Sequence, residues 1–95
     1  MPTDSYLTVE DLNYLISLCE SILAIPRQSR SIENSLYHQV VAELYMCKRS
    51  FTASVNRSDI VMFDVTGVLS SVRGSLNLID DLLTIFTQMR MGIGN

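Results

Sequence analysis

The sequence predicts an all-α fold: one domain over residues 1–95, an antiparallel bundle of three helices at about 8–24, 31–53 and 58–90. Three observations predict it. Apolar residues recur at three- and four-residue steps, the period of a helix with one buried face. The connections between these stretches are short and polar. The last stretch is the longest, with Val61, Val65, Val68, Val72, Leu76, Ile79, Leu83 and Phe86 in phase from Ser58 to Arg90.

The first helix opens at Thr8, a good N-cap, with Asp11 at the third helical position as a carboxylate capping box. Glu10 and Asp11 also suit the positive end of the helix dipole. Leu12, Leu15, Ile16, Cys19, Ile22 and Leu23 form its apolar stripe. It must stop near Ala24, because Ile25 precedes Pro26 and is pushed out of the helical region. Residues Met1 to Leu7 read as a loose arm.

Ser29 or Ser31 caps the second helix, whose stripe is Leu36 or Tyr37, Val40, Leu44, Cys47 and Phe51. Glu33, Asn34, Gln39, Lys48 and Arg49 occupy its polar face. The pattern dissolves at Ser54 to Arg57. Ser58 then caps the third helix. Within it, Ile60 to Val65 is rich in β-branched and aromatic residues and has strand character. The sequence offers no second strand to pair with it, and a lone strand leaves its backbone unsatisfied, so helix is preferred. Gly67 and Gly74 lie seven residues apart on one helix face. They read either as a groove for a close neighbour or as a break near Gly74, and the unbroken phase from Val72 to Leu76 favours a continuous, possibly kinked helix.

Composition narrows the function. The chain is 47 % apolar and 18 % charged, which marks a folded protein. A chain of this length buries only about 60–65 % of its unfolded surface. Its net charge of −3 disfavours sequence-independent binding to nucleic acid and a polybasic membrane contact. The start lacks the basic and apolar regions of a signal peptide, and no apolar run approaches the ~20 residues of a membrane span, so the expected location is cytoplasmic. Cys19 and Cys47 form no CxxC pair and read as buried free thiols, with a disulfide between them as the alternative.

No constellation for catalysis stands out, and the chain is expected not to be an enzyme. His38 is the only histidine, and it is followed by Gln39, Val40, Val41 and Ala42. Histidine phosphotransfer domains usually place a lysine and a glycine three and four residues on. No metal motif or phosphate-binding glycine loop is present, and no cofactor is implied. Asp80 and Asp81 are adjacent, hence splayed about 100° apart on a helix, and read as a solvated face.

Length carries the functional expectation. The first helix would span ~24 Å and the third ~45 Å, so the third overhangs its partners. Leaving four large side chains wet there forfeits roughly 6–12 kcal/mol. A homo-oligomer, most simply a two-fold dimer through the third helix, would recover much of it. The interface candidates are Leu78, Leu82, Ile85, Phe86 and Met89, with Tyr37 and Tyr45 on one side of the second helix. Arg27 and Arg30 in the first connection are placed to meet Arg90, as contacts to an anion or an acidic partner. The expected function is a non-catalytic, oligomeric protein-interaction module such as an adaptor, small chaperone or inhibitor, plausibly bacterial or phage, with one other protein as partner. The alternative is a sensory or regulatory domain that binds a small anion.

Overall fold

The computed structural model of the chain describes residues 4–26, 33–50 and 59–92. Its order is β1 (Asp4–Thr8), α1 (Val9–Leu23), α2 (Glu33–Cys47), β2 (Arg49–Ser50), β3 (Ile60–Asp64), α3 (Val65–Ser71) and α4 (Leu78–Met91). This mixed α+β arrangement replaces the expected all-α bundle of three helices.

The first helix forms as expected. Thr8 Oγ1 accepts from the Asp11 amide at 3.2 Å, and the Asp11 carboxylate accepts from the Thr8 amide at 3.0 Å. Two of the donors left open at a helix start are thereby satisfied. The Asp11 carboxylate also pairs with the Arg49 guanidinium, which donates to the Cys47 carbonyl at 2.8 Å. One arginine thus ties the end of α2 to the start of α1. The sequence had assigned Arg49 to a solvated helix face.

Asp4 to Leu7, read as part of a loose arm, form the central strand together with Thr8. The sheet order is β2-β1-β3, with both neighbours antiparallel to β1. Leu7 stands opposite Val61, and Ser5 opposite Phe63. Strand alternation puts these four on one face. Leu7 and Ser5 are buried, and Val61 and Phe63 pack against the core. The expected helix over Ile60 to Val65 is thus overturned: Ile60–Asp64 pair with Asp4–Thr8, and Val65 opens α3.

The expected rod over 58–90 is divided into β3, α3, a turn and α4. Asp64 ends the strand and caps α3, its Oδ1 accepting from the Thr66 amide at 3.1 Å. A Cβ at position 67 would lie 3.0 Å from Asp64 Oδ2, so Gly67 lets that cap close in. Gly74 breaks the run with φ 81°, a left-handed conformation that L side chains adopt only at a cost. Leu76, expected in the seam, is 91 % exposed. The second helix is also shorter than expected. It ends at Cys47, and the chain enters β2 at Arg49; Phe51 lies outside the described residues.

The core lies between α1 and α4, closed by α2 and the sheet. Leu12, Leu15, Ile16, Cys19 and Ile22 of α1 bury with Ile79, Leu82 and Phe86 of α4. Val40 and Leu44 of α2 join them, as do Leu7, Val65 and Val72. Arg90 in the last turn of α4 donates to Asn13 Oδ1 near the start of α1 at 2.9 Å, so the two helices run antiparallel. Because the rod folds back, one chain shelters most of its seam. The argument for a dimer through a third helix loses its premise.

Candidate functional site

Two faces of α2 are apolar. One carries Val40, Leu44 and Cys47 into the core. The other carries Tyr37, Val41 and Tyr45 at four-residue steps, neighbours on a helix surface. On this second face Tyr37 packs partly buried against the core, whereas Tyr45 is 48 % exposed. α2 packs on α1 and α4, while α3 packs on β3. The gap between them is a cleft of about 450 Å³.

Three elements line it. α2 supplies Tyr37, His38 and Tyr45. α3 supplies Thr66, Leu69 and Ser70, and the turn after it supplies Arg73 and Gly74. Leu78 at the start of α4 completes the wall. The rings of Tyr37 and His38 meet edge to face at 5.5 Å. Lys48 Nζ lies 5.4 Å from the centre of the Tyr45 ring, a cation–π contact. The cleft therefore joins aromatic walls and an apolar floor to two hydroxyls, an imidazole and a guanidinium. Among the described residues no carboxylate lines it.

Arg73 is the charged group of the lining. Among the described residues Arg49 pairs with Asp11 and Arg90 donates to Asn13, whereas the Arg73 side chain has no ion pair or hydrogen bond. His38, Thr66 and Ser70 bring together an imidazole and two hydroxyls, but no hydrogen bond joins the imidazole to either among the described residues.

The sequence-derived interface residues separate into two groups. Tyr37, Tyr45 and Leu78 converge on the cleft. Leu82 and Phe86 are fully buried in the chain's own core, and Ile85 and Met89 pack partly buried against it. Arg90 lies beside the first turns of α1, at the far end of that helix from Pro26. Arg27 and Arg30 lie outside the described residues. Arg73 and His38 were not selected from the sequence as binding residues. Arg73 stands between two apparent seam positions, and its role depends on the break at Gly74 that the periodicity argued against.

Elsewhere the titratable groups are structural. Burial pushes the Cys19 thiol from 9.0 to about 12. The Cys47 thiol is raised in the same sense, chiefly by burial and then by the Asp11 carboxylate. Both cysteines are free. Glu43 on α2 hydrogen-bonds the Tyr14 hydroxyl of α1 and holds its pKa above the usual phenol value. Among the described residues no three His, Cys, Asp or Glu side chains cluster as metal ligands. None of the described helices is long and apolar enough to cross a membrane. No family model, curated protein or solved structure matches the chain.

Proposed function

We propose that this chain is a non-catalytic protein-interaction module that receives a segment of another protein in the cleft between α2, α3 and α4. The observation that carries the reading is the second apolar face of α2. Tyr45 is 48 % exposed on that cleft, and its sequence neighbour Met46 is 76 % exposed. Leu76, in the turn between the lining residues Gly74 and Leu78, is also wet. Two tyrosines, Tyr37 and Tyr45, gathered at one concavity suit a recognition surface, because they offer large contact area at low ordering cost.

The size of the cleft also suits a small organic ligand, since such pockets run to roughly 300–1,000 Å³. The 48 % exposure of Tyr45 favours the protein reading, because a segment of protein that extends beyond the cleft covers more of that ring than a confined ligand does.

Selection of a random dodecapeptide library against the full chain tests the proposal without knowledge of the partner. Selected peptides should lose about tenfold in affinity on Tyr45→Ala, the scale of a central aromatic anchor. They should also be blocked by Ser70→Trp, which fills the cleft from an exposed position. Peptides that bind both variants as well as they bind the natural chain would place recognition elsewhere.

A further inference from the structure

We propose that the segment taken up in this cleft is acidic, with a carboxylate beside a large apolar side chain. The carboxylate is held by Arg73, and the apolar group lies against Tyr45 and Leu69. The inference rests on the cleft being a protein-binding site and adds the chemistry of its occupant.

Charge complementarity carries it. The chain bears a net charge of −3, yet among the described residues this cleft is lined by a guanidinium and an imidazole and by no carboxylate. Lys48 adds a second cation over the outer face of Tyr45. The nearest acids in sequence are occupied or lie off the lining. Asp64 accepts from the Thr66 amide at the start of α3, and Asp80 and Asp81 stand in the first turn of α4.

Arg73 is exposed and has no ion pair or side-chain hydrogen bond among the described residues, unlike Arg49 and Arg90. A guanidinium offers a planar fork that fits a carboxylate through two parallel hydrogen bonds. Thr66 and Ser70 line the same wall as further hydroxyl donors. An apolar group next to the acid is required by Tyr37 and Tyr45 of α2 and Leu69 of α3, which present rings and methyls that a bare anion leaves unused. A basic segment would meet Arg73 and Lys48 as like charges and is disfavoured.

The peptide selection decides the matter when its products are sequenced. Cleft binders should be enriched in Asp or Glu next to Phe, Tyr, Leu or Met. Their affinity should fall about tenfold on Arg73→Glu and stay within about twofold on Arg73→Lys, and raised salt should erode it. Repeating the selection on Arg73→Glu should reverse the preference toward Lys and Arg, an outcome that mere loss of folding cannot produce. Cleft binders without acidic enrichment, or binders indifferent to Arg73→Glu, overturn this inference and leave the protein-binding reading standing. If the library yields no cleft binder while benzoate or phenyl phosphate raises the melting temperature through Arg73, the occupant is a small organic anion and both readings fall.

Discussion

The two sides of α2 are built from similar residues and end in different states. On one side Val40 and Leu44 close against α1 and α4 with no exposed surface worth counting. On the other, Tyr37 is partly buried and Tyr45 is 48 % exposed, and both line the gap to α3. A domain this small has little apolar surface to leave unused, because its stability is the small remainder of large opposing terms. On the proposed reading the exposed Tyr45, in a cleft with an arginine that has no ion pair among the described residues, is kept for a partner, and the sealed side holds the fold.

Several substitutions would break or sharpen that contrast. Phe86→Ala should be the most damaging, at about 3–5 kcal/mol, because it empties the largest fully buried side chain of the sealed side. Urea denaturation should show a chain that is unfolded or nearly so; a loss under 1 kcal/mol, the scale of a surface change, would mean that this side is not sealed. Cys19 reports on the same side through its reactivity. At pH 8 iodoacetamide should reach Cys47 in the native chain and Cys19 only through unfolding. The sign of the pH effect follows from the thiol, raised in the fold from 9.0 to about 12. Over that window the unfolded chain gives up the proton and the folded chain keeps it, so stability falls as pH rises. Cys19→Val should remove that portion of the alkaline slope.

Smaller effects come from the joints. Gly74→Ala meets open space but must hold a positive φ, so it should cost about 1–2 kcal/mol, and Gly74→Asn less. Thr8→Ala removes half of the capping box and should cost about 1 kcal/mol, with Thr8→Ser restoring most of it. The least stability should be lost on the open side. Tyr45→Ala should change the unfolding free energy by less than about 1 kcal/mol while removing peptide binding. If Tyr45→Ala destabilised the chain as much as Phe86→Ala, the open wall would be part of the core and the contrast would disappear.

The first helix was fully legible because its signals are local. Thr8 and Asp11 cap each other three residues apart, and Pro26 stops the run. The core positions of α2 were legible for the same reason, whereas Leu82 and Phe86 of α4 were expected at an interface between copies and lie in the chain's own core. The sheet was not. β1 hides its alternation, since the inward positions are Ser5 and Leu7 and the outward one is Tyr6, so the buried face looks half polar. With that strand unseen, Ile60 to Val65 had no visible partner and was assigned to a helix. The long seam was an accident of spacing. Val61 belongs to a strand, Val65 and Val72 to a short helix and its end, and Leu76 to a turn, yet their intervals of four, seven and four residues imitate a heptad. The cleft was half legible. Tyr37 and Tyr45 follow from the two-sided pattern of α2, but Arg73 reaches them only because the chain reverses after Ser71.

The position of β1 bears on how the chain comes to be folded during synthesis. Its middle strand leaves the ribosome first, and its partners are residues 49–50 and 60–64. A nascent chain shorter than Asp64 holds Asp4–Thr8 with one long edge open, however well α1 has already coiled behind its cap. The helices have local reasons to form early. The sheet waits until residues 60–64 have been made, because its longer pairing joins segments more than fifty residues apart.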